Sequence, residues 1–199
     1  MTFSSPRLTL ADSTSWHIAG GDTLGHRFSR LLAASMQLAP APAAGDSRRL
    51  LIRGGIPLGA RRPDLPLVLP SLGEAEPDMT AVYRALPINN NIDLADQLME
   101  LGLVMASGSE ARGGVLLHGA LAVKDGRGVI LAGPSDVGKT TASRRLPSPW
   151  QALSDDCTLV VRDGAGTWHA HPWPTWSSFL AGDFGQSWPV AASVPLHAL

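Results

Sequence analysis

Cysteine is almost missing: Cys157 is the only one in 199 residues, so no intrachain disulfide can form. A lone thiol fits a reducing compartment. An excess of either charge is missing too. The 16 basic and 17 acidic side chains leave a net charge of −1, which removes any global electrostatic case for nucleic acid or an acidic membrane surface. No apolar run approaches the roughly 18 residues that a spanning helix requires. The longest candidate, Leu101-Gly-Leu-Val-Met-Ala106, is far too short. The start, Met1-Thr-Phe-Ser-Ser-Pro-Arg7, has neither the basic residues nor the apolar stretch of a signal peptide. Together these absences predict a soluble, cytoplasmic protein with no membrane or nucleic-acid partner.

Hydrophobic residues make up 44% and charged residues 17%, enough to bury a core. The length suits one domain, or one and a fraction. With 21 glycines and 16 prolines, many loops are expected. Arg7–Leu10 and Ser15–Ile18 read as short strands. Leu24–Leu38 reads as a helix, with Leu24, Phe28, Leu31, Leu32, Ser35 and Met36 at three- and four-residue spacing. Residues 40–46 read as a linker. Arg49–Arg53 and Leu65–Leu69 read as strands, the second weakened by proline. Asn89–Asp93 is a helix start, and the helix over 94–106 carries the stripe Leu94, Leu98, Leu101 and Met105. Glycines between 107 and 114 break the chain.

The most informative segment is Gly133-Pro-Ser-Asp-Val-Gly-Lys-Thr-Thr141. It is a complete phosphate-binding loop, preceded by the apolar strand 128–132 and followed by a helix start. The nucleotide contacts fall to Gly133, Pro134, Ser135, Asp136, Val137, Gly138, Lys139, Thr140 and Thr141. The glycines admit backbone conformations and close approaches that a side chain blocks. Loop N–H groups then face phosphate oxygens. Lys139 reaches the β- and γ-phosphates of ATP, and the Thr140 hydroxyl is a ligand for Mg²⁺. Asp136 adds negative charge near phosphate, which a side chain pointing outward tolerates. Before the loop, 114–123 and 128–132 flank Asp125-Gly126, a hairpin signal. A hairpin feeding the loop differs from the parallel crossover of Ras-type domains.

Asp155 and Asp156 form the second constellation, just before the strand 157–161. Phosphoryl transfer needs a bridging cation and often a carboxylate that positions the nucleophile. Neighbouring strand-edge residues point to opposite sides, which predicts different tasks. Asp155 is assigned to the reacting hydroxyl and Asp156 to Mg²⁺. The competing reading is a solvated turn. His118, in an apolar stretch, is either an active-site histidine or a hydrogen-bonded core histidine. His169 and His171 share a strand face, so a zinc pair competes with a structural role. Trp150, Trp168, Trp173, Trp176 and Trp188 crowd the region 150–188 as core anchors or as a ligand platform. Arg144 and Arg145 neutralise phosphate or form a solvated helix face.

His118-Gly-Ala-Leu, the phosphate loop and Leu153-Ser-Asp-Asp156, in this order, resemble the catalytic domain of bacterial HPr kinase/phosphorylase. Gly113–Leu121, Arg144-Arg-Leu-Pro147 and His171-Pro-Trp-Pro-Thr-Trp-Ser177 more closely resemble the HPr-kinase-like ScmC proteins of SynChlorMet peptide-modification cassettes. The resemblance implies an α/β fold with a mixed sheet and phosphate loop, shared with phosphoenolpyruvate carboxykinase, and an N-terminal α+β region of unknown role over 1–110. The nucleotide-binding domain would cover 111–199. It implies Mg-dependent transfer from ATP to a hydroxyl of a peptide or protein, with Asp155 as base and His118 nearby, and self-association into homo-oligomers. Thr141 stands where those kinases commonly carry glutamate. The chain after Lys139 is expected to be too short to complete the family's sheet. These departures leave room for a nucleotide-binding accessory protein without turnover.

Overall fold

The computed structural model describes residues 5–42, 47–55, 80–134 and 137–198. Two mixed sheets and four α-helices make up this part of the chain. Strands β1 (Ser5–Thr9) and β2 (Ser15–Gly20) pair antiparallel, and β3 (Pro40–Ala41) extends the β1 edge. β4 (Arg48–Gly54) lies parallel to β2, and β5 (Ala81–Ala85) parallel to β4. The sheet order is β3-β1-β2-β4-β5. The expected strand over 65–69 lies outside the described residues.

Helix α1 (Thr23–Ser35) starts where the Asp22 carboxylate accepts the Gly25 N–H at 2.8 Å. It stops before the expected Leu38 because Gln37 turns left-handed at φ 52°. Leu38 N–H then reaches the Ala33 carbonyl at 2.8 Å, and Gln37 N–H reaches that of Ala34 at 3.3 Å, a Schellman closure that satisfies the last carbonyls. α2 (Asn91–Ser107) is capped by the Asn90 side chain on Asp93 N–H, and buries Leu94, Leu98, Leu101 and Met105 as the spacing predicts.

The second sheet comprises β6 (Val115–Lys124), β7 (Arg127–Ala132), β8 (Gln151–Ser154), β9 (Cys157–Arg162), β10 (Trp168–Trp173) and β11 (Val194–Ala198). Its pairings close on themselves, β6–β7–β11–β10–β9–β6, into a five-stranded ring with β8 attached to β6. The β6–β7 hairpin is antiparallel, and Asp125 and Gly126 both take positive φ at its tip, as a primed turn demands. β11 closes the ring by pairing antiparallel with β10 and parallel with β7. Leu121, Ile130, Val160 and Ala170 pack together in one cluster. On β9 the alternation sends Val160 there and Leu159 and Val161 to a larger core.

That larger core joins both sheets. Leu8, Trp16, Ile18, Leu50, Phe28, Leu98 and Met105 pack in one cluster with Trp173, Trp176, Phe179 and Trp188. Trp176 meets Phe179 and Trp188 edge to face, with ring centroids 5.3 and 5.7 Å apart. Three of the clustered tryptophans are therefore core anchors. Trp150 and Trp168 instead carry Lys124 and Arg162 over their rings. Among the described residues no helix is long and apolar enough to cross a membrane.

Candidate functional site

The glycine loop leaves the end of β7 and enters α3 (Lys139–Arg144). Gly138 supports that entry at φ 91°, in the left-handed region. Its carbonyl accepts the Ala142 N–H at 2.8 Å, the first bond of the helix. The helix is short, and Pro147 follows closely. Ser135 and Asp136 lie outside the described residues. Val137 is solvent-exposed.

Lys139 is 92% covered, with 8% of its surface exposed. Its ammonium donates to two carbonyls of its own loop, Gly133 at 3.0 Å and Pro134 at 2.8 Å. The lysine thus holds the loop around itself. The next residue, Thr140, donates its hydroxyl to the Asp155 carbonyl at 3.3 Å. The glycine loop is thereby tied to the aspartate pair.

The pair lies immediately before β9, as the sequence predicts. It forms the break between β8 and β9, opposite Gly119 and Ala120 of β6, where the ladder is interrupted. Strict alternation lapses in that break, and both aspartates line one cavity instead of opposite faces. Their partners differ. Asp155 Oδ2 accepts from Arg144 at 3.3 Å, while its Oδ1 is buried with no hydrogen-bond partner among the described residues. Asp156 Oδ1 lies 2.6 Å from His118 Nε2. His118 is about half exposed at the cavity wall, which sets aside the core-histidine reading.

The cavity holds about 440 Å³ and is lined by His118, Gly138, Lys139, Thr140, Thr141, Asp155, Asp156 and Ser177. Its size is that of a small-molecule site. Three separated segments meet there: β6, the loop with α3, and the β8–β9 break. Ser177, the first residue of α4 (Ser177–Leu180), closes a fourth side. Sequence reading reached only the stretch around it, because a single serine after a tryptophan carries no spacing signal. Cys157 also belongs to this neighbourhood. Burial pushes its thiol up to about 11, with Asp156 and Asp155 adding to the effect and Lys139 opposing it.

His169 and His171 are structural. His169 is held by Asp163 at 3.0 Å and Ser193 at 3.2 Å. His171 is fully buried, donates Nδ1–H to the Val190 carbonyl at 2.7 Å and accepts the Ala11 N–H at Nε2 at 3.1 Å. All four ring nitrogens are engaged, so the zinc-pair reading is abandoned. Among the described residues no three His, Cys, Asp or Glu side chains are grouped to hold a metal on their own.

Residues 88–199 match the family described as SynChlorMet cassette protein ScmC. The match covers more than half of the chain, including the whole cavity wall, and the chain belongs to that family. No curated protein matches it.

Proposed function

We propose that this ScmC-family protein binds ATP with Mg²⁺ between the glycine loop and the aspartate pair, and transfers the γ-phosphoryl group to a hydroxyl of a peptide or protein in the modification cassette. One observation carries the reading. A lysine seated in a glycine loop, a first-turn threonine, two carboxylates and a histidine, drawn from three segments, line a single cavity. The reading allies the chain with HPr kinase-like nucleotide-binding proteins. The hairpin that feeds the loop supports that alliance.

The roles follow from the partners of each side chain. Lys139 exchanges its two loop carbonyls for phosphate oxygens on nucleotide binding. Mg²⁺ suits the Thr140 hydroxyl and Asp155, because hard oxygens are its ligands and Asp155 Oδ1 is a buried acceptor without a donor among the described residues. Held by these residues, the ion would supply positive charge that offsets the charge developing on the transferring group. Asp156 and His118 are left to take the acceptor's proton, since they already share a short contact at the cavity wall. This reverses the sequence-based assignment, which gave the base to Asp155 and the ion to Asp156.

The test incubates the native chain and Asp156→Asn with ATP, Mg²⁺ and a pool of synthetic serine peptides, and reads ADP and phosphopeptides by mass spectrometry. Phosphopeptide from the native chain alone is the expected result. Bound but unconsumed ATP would favour the second reading, a nucleotide-binding accessory protein. Thr141 at the cavity wall, where kinases of the resembled family carry glutamate, is the observation behind that alternative.

A further inference from the structure

We infer that Ser177 is a phosphoryl acceptor of this chain's own site, so that the protein phosphorylates itself there. The inference rests on the nucleotide reading above and extends it to an acceptor. Ser177 lines the same cavity as Lys139, Thr140, Asp155 and Asp156. Ser177 is exposed. Among the described residues its side-chain hydrogen bond is to the Thr175 hydroxyl at 3.2 Å. That is long for a hydroxyl pair, whose common spacing is about 2.7–2.8 Å. The hydroxyl is therefore available to a ligand.

The backbone carries the second, independent observation. Trp176, immediately before Ser177, adopts φ 60°. For a bulky residue this conformation is an outlier. It persists because the Trp176 ring is fully buried against Phe179 and Trp188. Aromatic packing thus imposes the turn that brings residue 177 to the cavity wall.

The step is a simple displacement. Ser177 Oγ forms a bond to the γ-phosphorus of ATP, the bond from that phosphorus to the β–γ bridging oxygen breaks, and ADP leaves. The serine proton passes to the Asp156–His118 pair. Because the acceptor is tethered, it competes favourably with free peptide and water. The product adds about −1.5 to −2 charges beside two carboxylates, which weakens rebinding of nucleotide and makes the reaction self-limiting.

The experiment uses the full chain, pretreated with phosphatase, then given ATP and Mg²⁺. Peptide mapping reads the site, and calorimetry on the same preparation reads ATP binding. Expected are one phosphoryl group on Ser177, its loss in Ser177→Ala with ATP binding retained, its persistence in Thr175→Ala, and a fractional rate independent of protein concentration. Bound ATP with Ser177 unmodified, or with the phosphoryl group on another residue, overturns the inference and leaves the nucleotide reading standing. No ATP binding at all overturns both.

Discussion

Asp156 Oδ1 lies 2.6 Å from His118 Nε2 across a sequence separation of 38 residues. The two side chains are 41% and 51% exposed. A pair so open to solvent adds little to stability, on the order of 0–1 kcal/mol. It sits instead where a ligand in the cavity can reach it. We predict that His118→Asn leaves the unfolding midpoint nearly unchanged and slows ADP formation by roughly 10²-fold or more, the range for loss of an acid–base group. A large fall in stability with unchanged turnover would make the pair structural.

Cys157 reports on the same neighbourhood. A thiol pushed from 9.0 to about 11 holds about a hundredfold less thiolate near neutral pH. Its greater intrinsic nucleophilicity recovers about tenfold of that loss. Alkylation by iodoacetamide at about pH 8 should then run at least roughly tenfold slower than that of an unperturbed thiol. Asp156→Asn, by removing a neighbouring negative charge, should speed it. Reaction at the free-thiol rate, or no response to Asp156→Asn, would contradict the electrostatic picture of the site.

Gly138 is a test of backbone rather than contact. Among the described residues a Cβ there would meet nothing within 4 Å, yet φ is 91°. Gly138→Ala should cost on the order of 1–2 kcal/mol from left-handed strain alone, and should weaken ATP binding by distorting the loop. Thermal unfolding and calorimetry check the two effects separately. An unchanged unfolding midpoint would show that the loop does not need this conformation.

Acid should destabilise the fold before any carboxylate titrates. Burial, first among the causes, lowers the affinity of His171 and His17 for a proton below the usual 6.5. The folded state keeps these rings neutral, so the unfolded chain binds more protons as pH falls through the unfolded value. The stabilisation is complete above about pH 6.5 and is lost progressively as the folded pKa is approached. For His171 the cost is concrete: a protonated Nε2 can no longer accept the Ala11 N–H. The urea midpoint should fall between about pH 7.5 and about pH 5.5, and a flat profile would contradict this assignment.

Features with local periodicity were legible in the sequence. The stripe Leu94, Leu98, Leu101 and Met105 gave α2, and Asp125-Gly126 gave the β6–β7 hairpin. The glycine loop was legible because its residue types are fixed by close backbone geometry, and Gly138 has the expected left-handed conformation. β5 was missed because Ala81–Ala85 is short and its partner β4 is distant in sequence. β8 was missed for a related reason: Gln151–Ser154 has no alternating pattern, and its pairing with β6 is bulged. Without β8 the pair read as a strand edge with opposite faces, whereas it is a break between two strands with both aspartates on one cavity. Their partners, Arg144 and His118, are tertiary facts that no spacing announces. Ser177 reaches the cavity through the Trp176 turn, which depends on packing rather than on local preference.

The measurement that tests the central claim most directly is calorimetric titration of ATP with Mg²⁺ into the native chain and Lys139→Ala. The account predicts saturable binding by the native chain and its loss in the variant, with the fold intact by circular dichroism. Absence of binding by the native chain, or equal binding by both, would contradict the assignment of the Gly133–Thr141 loop to nucleotide phosphate.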